Sequence, residues 1–258
     1  MNKADKVKLI YFFSISLLIF LYGCIDTNVQ VIPSSFDFRS QLKIVNLASQ
    51  GGAVTAKILD NKKQVVASAS GLNVGDEYPG SGVSFLDIPA GTHTFIASFA
   101  NSAKPDTVTE SLDSDKKVRL FIVEDASGSP SLVKCFQRYT TQLKGSAYGK
   151  GLYPADSVSI LFFNGVSDTT LDQIEVKGTN GTTTVFDSTI TLSTALTTGQ
   201  ASAYFKLKVA SNYAITFIST DGSLSTVTTF NPLAQSRYSA VVYGSKSATY
   251  KSKVYTDD

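Results

Sequence analysis

A self-match at one fixed offset limits this chain more than any other feature of its sequence. Phe85-Leu86-Asp87-Ile88-Pro89-Ala90-Gly91-Thr92-His93-Thr94-Phe95 aligns with Phe205-Lys206-Leu207-Lys208-Val209-Ala210-Ser211-Asn212-Tyr213-Ala214-Ile215, 120 residues later. The same offset carries residues 107–109 onto 227–229 and 118–127 onto 238–247, while Ile44-Val45-Asn46 meets Phe162-Phe163-Asn164 at 118. One offset held over several segments, with a small change in loop length, points to two copies of one module. At roughly 100 residues, each copy is long enough to close its own core.

Short runs that alternate apolar and polar residues, bounded by Gly, Asn, Asp or Pro, fill both copies, and long helical patterns are absent. That is the pattern of half-buried strands in an antiparallel all-β protein. Strands are expected at residues 42–47, 54–59, 83–88, 92–99, 118–123 and 132–136. In the second copy they are expected at 158–163, 174–176, 182–186, 204–209, 213–218 and 238–243. Between the copies, residues 141–155 hold Gly145, Gly149, Gly151 and Pro154 and read as an exposed linker. The modules are therefore placed at 41–140 and 156–258, each an immunoglobulin-like antiparallel β-sandwich.

The N-terminal segment has the three parts of an export signal. Lys3, Lys6 and Lys8 precede an uncharged run from residue 9 to 22, too short to span a bilayer comfortably. It ends in Leu21-Tyr22-Gly23-Cys24, which resembles the lipobox of bacterial lipoproteins, although Tyr22 stands where a small or hydroxyl residue is usual. The resemblance implies cleavage of residues 1–23, lipid on Cys24, and an address in the cell envelope, with the outer membrane expected, on its periplasmic or its outer face. Residues 24–40 then form a tether. Without Lys3, Lys6, Lys8 and Asp5, a chain of 23 basic and 21 acidic residues becomes neutral. Such a chain has no electrostatic case for binding nucleic acid or an anionic membrane surface. If Cys24 is acylated, Cys135 has no intramolecular partner, and the modules rely on their cores alone.

The strand at 85–88, the Ile-Pro-Ala-Gly-Thr-His turn and the apolar strand after it resemble the domain-of-unknown-function family 4397. Its opening strand resembles Leu42-Lys43-Ile44-Val45-Asn46-Leu47-Ala48, and its closing strand resembles Lys117-Val118-Arg119-Leu120-Phe121-Ile122-Val123-Glu124-Asp125. The match covers residues 41–138 well and 157–255 loosely, since Val209-Ala210-Ser211-Asn212 replaces the Pro-Ala-Gly turn. It implies export and immunoglobulin-like modules and supplies no active site. In the turn itself, Pro89 fixes its own φ and Gly91 is free to take a positive one, as a tight reversal between two strands requires.

Candidate chemistry is sparse. His93 is the only histidine, and Tyr213 takes its place in the second copy, so it reads as a surface or partly buried strand residue. No Gly-x-Ser-x-Gly elbow is present to pair with it. Cys135, in Leu132-Val133-Lys134-Cys135-Phe136, reads as a small core residue. The acidic pairs Asp76-Glu77, Asp113/Asp115 and Glu124-Asp125 read as turn charge, without the spacing of a calcium loop. The glycine-rich stretch 71–82 lacks a following helix to hold a phosphate. Phe162, Phe163 and Phe205 fall at strand spacing and are expected in the core. The absence of Trp weighs against a stacking platform for sugars, while 12 Tyr remain. Asp-Ser/Thr triplets place possible O-glycosylation at Thr107, Ser157, Thr169 and Ser188, since they resemble the three-residue signal of Bacteroidota-type exported proteins.

The expected protein is a non-catalytic envelope lipoprotein that binds or builds, with no cofactor and no metal. Its membrane contact is the lipid anchor, and its partner is an envelope or extracellular polysaccharide or protein. A fibre subunit joined by strand addition is the second reading, and a glycan-acting hydrolase the third.

Overall fold

A computed structural model describes residues 38–257, apart from 81, 84, 102–103, 115, 126, 140–155 and 248, and describes 133–139 by backbone only. The expected signal peptide, the expected linker and residues 24–37 of the expected tether lie outside the described residues. Among the described residues every regular element is a strand, as the alternating pattern predicts.

In the first module β1 (Arg39–Asn46), β4 (Glu77–Tyr78), β5 (Leu86–Pro89), β8 (Lys116–Glu124) and β9 (Pro130–Tyr139) form one sheet. Its order is β4-β1-β8-β9, with β5 also on β1. The facing sheet has β2 (Val54–Leu59), β3 (Val65–Leu72), β6 (Gly91–Phe99) and β7 (Asp106–Leu112) in the order β3-β2-β6-β7. The second module repeats this. Strands β10 (Ser157–Val166), β13 (Phe205–Lys208), β16 (Arg237–Gly244) and β17 (Lys251–Thr256) pair in the order β13-β10-β16-β17. Facing them, β11 (Leu171–Asn180), β12 (Thr183–Leu196), β14 (Asn212–Ser219) and β15 (Ser225–Phe230) pair in the order β12-β11-β14-β15.

One pair in each module is parallel. Leu42 lies opposite Val118 across β1 and β8, and Ile160 opposite Tyr238 across β10 and β16. The remaining described pairs run antiparallel, in line with the expected sandwich. Parallel pairing suits strands covered on both faces, which lose polar alternation and read as near-continuous apolar runs. The run Ile160-Leu161-Phe162-Phe163 is of that kind, and in β1 the alternation is broken at Ile44-Val45.

Both faces of these strands are in fact buried. Leu42, Ile44, Val118, Leu120 and Ile122 face the first module's own core with Ile58, Phe95 and Phe99. The intervening Val45, Leu47, Phe121 and Val123 face the second module, where Leu161, Phe163, Val241, Tyr243 and Tyr255 meet them. Val158, Ile160 and Phe162 turn the other way, into the second core. The four sheets therefore stack as layers, with the parallel-paired sheets inside. The rings of Phe121 and Phe163 lie 4.3 Å apart across the seam. Burial of each such side chain contributes about 1.5–3 kcal/mol. Close approach is enforced at Gly165, where an added Cβ would stand 3.0 Å from Leu47 Cδ1.

Two local expectations need correction. First, β1 begins at Arg39, inside the stretch assigned to the tether. Ser40 is buried, and its hydroxyl donates to Lys116 O at 2.9 Å, so a polar residue opens the strand and hides it from a search for apolar periodicity. Second, the Pro89-Ala90-Gly91 turn does not join two paired strands. Strand β5 pairs with β1, whereas β6 pairs with β2 and β7, so the turn is a corner between facing sheets. Gly91, with φ at 121°, supplies the backbone freedom there. In the second module Asn180 Oδ1 accepts hydrogen bonds from Ser211 N and Oγ, both at 2.7 Å, and holds the corner without the Pro-Ala-Gly sequence.

Candidate functional site

Where the two inner sheets meet near the β4 edge, a cleft of ≈ 500 Å³ opens. Gln41 and Lys43 of β1, Glu77 of β4, Lys117 of β8, and Val83 and Phe85 of the loop before β5 form one wall. Lys253, Val254, Tyr255 and Thr256 of β17 form the other. Gln41, Lys43, Lys117, Lys253 and Tyr255 take outward positions on strands whose inward positions, Val254 among them, pack against the cores.

A buried ionic network underlies the cleft. Lys43 Nζ lies 3.1 Å from Glu77 Oε1, and Arg119 Nη1 lies 3.2 Å from Glu77 Oε2. Arg119, with no exposed side-chain surface, crosses the seam: Nη2 donates to Thr256 O at 2.8 Å, and Nε stands 3.3 Å from Asp257 Oδ1. The other oxygen of Asp257 accepts from Ser239 Oγ at 2.8 Å and Tyr204 OH at 3.0 Å. Gly75 O is shared by two donors of the second module, Lys253 Nζ at 2.7 Å and Tyr255 OH at 3.0 Å. Burial, with smaller help from neighbouring Tyr243, raises the Tyr255 phenol far above its ordinary range, so it stays neutral.

Aromatic faces in the cleft are occupied by cations. Lys117 Nζ sits 4.8 Å from the centre of the Phe85 ring, with Lys43 and Arg119 each at 5.5 Å. Lys253 Nζ stands 4.9 Å and the Arg119 guanidinium 5.1 Å from the Tyr255 ring. Such contacts hold the cationic groups in place. Chemically, the cleft offers ammonium and amide donors to a polar guest. Among the described residues its one lining carboxylate, Glu77, is already bound to two cations.

Of the candidate chemical groups singled out from the sequence, Glu77 and Gly82 of the glycine-rich stretch line this cleft, and among the described residues the histidine and the other acidic pairs do not. His93 is buried within the first module, 3% exposed rather than at a surface; its Nδ1 is 3.0 Å from Gly91 O and its Nε2 has no hydrogen-bond partner among the described residues. The burial follows from its register on β6, where it shares the inward face with Phe95. Tyr213 takes the matching place, its hydroxyl donating to Lys208 O, and burial pushes its phenol up to about 12. Cys135 belongs to β9, and its side chain lies outside those described; Cys24 and Asp115 are outside altogether.

The acidic pairs are distributed among structural tasks. Asp76 accepts from Asn73 N at 3.1 Å, and Asp113 meets Lys116 Nζ at 2.8 Å. Glu124 accepts from the backbone N–H groups of Gln50 and Gly51 and pins the loop after β1. Asp125 closes the β8–β9 turn by accepting from Ser127 and Ser129, and the Ser127 hydroxyl is the main cause of its lowered pKa. Among the described residues no group of three or more His, Cys, Asp or Glu is placed to hold a metal ion. Phe162 and Phe205 pack in the second core, whereas Phe163 faces the other module. Of the possible glycosylation residues, Thr107 is exposed on β7, Thr169 and Ser188 are half-buried, and Ser157 is only 4% exposed.

The cleft residues escaped detection because lysines on alternating strands read as ordinary solvated faces. The available signal was the continuous apolar run at 160–163 of β10, which marks a strand covered on both sides.

No protein-family model matches the chain, and no curated protein sequence does either. Among solved structures, the chain is similar to the tip fimbrial protein Mfa3 from Porphyromonas gingivalis with C-terminal truncation. That match has 10% identity and a TM-score of 0.32, over 85% of this chain and 99% of the other. It is also similar to the Bacillus anthracis TIE protein at 10% identity and a TM-score of 0.25, over 83% of this chain and 34% of that one.

Proposed function

We propose that this protein is a non-catalytic binding module of a bacterial cell envelope, carried on a membrane by lipid on Cys24, with the inter-module cleft as its binding site. The observation that supports it is the cleft itself, ≈ 500 Å³ in volume and walled by strands of both modules. Pockets of this size take small ligands or the end of a longer chain, and rigid strands hold their contacts better than loops. General acid–base catalysis needs a proton-transfer group within reach of the guest. Glu77, engaged by Lys43 and Arg119, is a poor one. The lipid anchor rests on residues 9–24, and membership of the first module in the domain-of-unknown-function family 4397 rests on residues 41–138.

Val83 lines the cleft and is 55% exposed, so Val83→Trp narrows the cleft at little cost to folding. Full-length lipoprotein in detergent should bind one or more arrayed envelope polysaccharides or matrix proteins, and Val83→Trp should weaken that binding at least tenfold. Equal binding by both proteins would remove the cleft from the proposal. Turnover of any arrayed glycan would replace it with the hydrolase. For the anchor, cells fed a labelled fatty acid should label the wild type and not Cys24→Ala.

One observation favours the fibre as a second reading. Strand β12 runs for 14 residues and, among the described pairings, joins only β11. Such an edge is a template for an added strand. Fibres seen by electron microscopy and lost in the edge variant Thr189→Lys would establish it.

A further inference from the structure

We infer that Asn180 is a self-modifying site: its side-chain amide closes onto the backbone nitrogen of Gly181, releases ammonia, and opens in water to aspartate and isoaspartate. Asn-Gly occurs twice in the chain, at 164–165 and 180–181, and the two pairs have opposite surroundings. Asn164 is 1% exposed; its Nδ2 donates to Thr169 O at 3.1 Å and Leu196 O at 2.8 Å, and its Oδ1 accepts from Val166 N at 2.9 Å. A Cβ on Gly165 would stand 3.0 Å from both Leu47 Cδ1 and Val242 O, so that pair is locked in place. Asn180 instead ends β11 at the surface, opposite Thr183, and the two-residue loop Gly181-Thr182 carries the chain into β12. Gly181 has φ at 60°, as the first residue of a type II′ turn requires, and open space where a side chain would be. A glycine there leaves the approach of its nitrogen to Asn180 Cγ unblocked.

The carboxamide of Asn180 is also polarised. Its Oδ1 accepts from Ser211 N and Ser211 Oγ, both at 2.7 Å. A backbone N–H only donates, which fixes the oxygen as the atom facing Ser211. In the reaction hydroxide takes the Gly181 N–H proton, the nitrogen adds to Cγ, and the carbonyl electron pair moves onto Oδ1. The two Ser211 donors then face an oxyanion, and hydrogen bonds to an ionised oxygen are stronger than those to the amide they replace. Return of the pair breaks the Cγ–Nδ2 bond, and Nδ2 leaves as ammonia with a proton from water, which restores the hydroxide. Water next adds to either carbonyl of the five-membered ring. Opening at the side-chain carbonyl gives aspartate, which keeps an oxygen for Ser211. Opening at the main-chain carbonyl gives isoaspartate, with an extra methylene in the backbone between β11 and the turn.

The test incubates full-length lipoprotein in detergent at mildly alkaline pH and follows it by peptide mass mapping and an isoaspartate methyltransferase assay. Conversion is expected at Asn180, with Asn164 unchanged. Ser211→Ala removes one of the two donors and should slow conversion roughly three- to tenfold, the worth of one hydrogen bond. Ser211→Thr, which returns a hydroxyl, should restore the rate. Isolated by ion exchange, the isoaspartate fraction should unfold below the Asn180→Asp variant, because it alone distorts the turn; equal unfolding temperatures would overturn that consequence. Faster conversion in Ser211→Ala would mean that the two bonds hold the carboxamide away from Gly181 N, and would overturn the role of Ser211. An Asn180 that stays intact while a free peptide of residues 177–184 converts would overturn the whole inference.

Discussion

Asn46 and Asn164, at the ends of β1 and β10, make the same hydrogen bonds in the two modules. Each donates Nδ2 to a leucine carbonyl, Leu72 or Leu196, at 2.9 and 2.8 Å, and each accepts at Oδ1 from the backbone N–H two residues on, at 3.0 and 2.9 Å. Their own carbonyls accept from Gly75 N and Gly199 N, both at 2.7 Å. The amide thus ties the strand of one sheet to the end of the last strand before the crossing loop, from inside the protein. Loop lengths differ between the copies, yet this knot does not.

Each asparagine should therefore be costly to remove. Asn46→Ala leaves a buried carbonyl and a buried N–H without partners, at about 1–3 kcal/mol apiece. Asn164→Ala does the same in the second module. Denaturant unfolding should show each variant destabilised by roughly 2–4 kcal/mol. A loss below 1 kcal/mol in either would mean water replaces the amide.

Much of the module was legible because strand periodicity is local. Residues 92–99, 118–123, 213–218 and 238–243 lie within strands, and the alternation of β6 correctly orients Phe95, Ala97 and Phe99 inward. Strands β3, β4, β7, β15 and β17 were missed. The sequence Val65-Val66-Ala67-Ser68-Ala69-Ser70 is made of small residues at a sheet edge, and Lys251-Ser252-Lys253-Val254 is mostly polar. The cleft was invisible for a different reason: it arises from two distant segments, β1–β8 and β17, meeting across the seam. Local pattern carries no trace of that meeting beyond the apolar outward positions Val45, Leu47 and Phe163.

The seam predicts what proteolysis will do. Residues 141–155 are expected to be cut first, giving two fragments, but the cluster around Phe121 and Phe163 should keep them together. The nicked protein should elute from size exclusion as one species. Phe121→Glu puts a charge into that cluster without a partner and should release the fragments. Separate elution of wild-type fragments would show that the seam contributes little to holding the body together.

Asp221 supplies a pH test. Its carboxylate accepts from Ser219 Oγ at 2.6 Å and Ser223 Oγ at 2.7 Å, with Ser223 N at 3.0 Å, and these bonds hold its pKa well below the ordinary 3.8. A depressed carboxylate stabilises the fold fully above its unfolded pKa and loses that contribution as pH falls toward the folded value. Asp221→Asn should lower the unfolding temperature at pH 7, with the gap to wild type narrowing progressively below about pH 4. A gap of constant size down to pH 2 would assign the effect to geometry rather than charge.

Exposure separates the possible glycosylation residues. Protein from its native host should carry mass above the lipidated polypeptide, and Thr107→Ala should remove part of it, because Thr107 faces solvent. Ser157→Ala should leave that mass unchanged, since a glycan has no room on a residue 4% exposed at the start of β10. Loss of mass from Ser157→Ala alone would mean modification before folding.

The last prediction concerns Arg119, which joins the two modules through charge where Phe121 joins them through apolar contact. Its guanidinium has no exposed side-chain surface and serves Glu77, Asp257 and the Thr256 carbonyl at once. Removal of one member of a buried ion pair typically costs about 3–5 kcal/mol, because the partner keeps its charge without its compensation. Glu77 retains Lys43, and among the described contacts Asp257 retains the neutral donors Ser239 and Tyr204. Arg119→Met should therefore destabilise chiefly through Asp257. Neutralising that residue as well, in Arg119→Met/Asp257→Asn, should recover a good part of the loss, since no uncompensated charge then remains. A double-mutant cycle by denaturant unfolding measures the coupling directly. If the double variant is as unstable as the sum of the two single ones, the guanidinium acts by packing between Phe85 and Tyr255, and its charge is not what closes the seam.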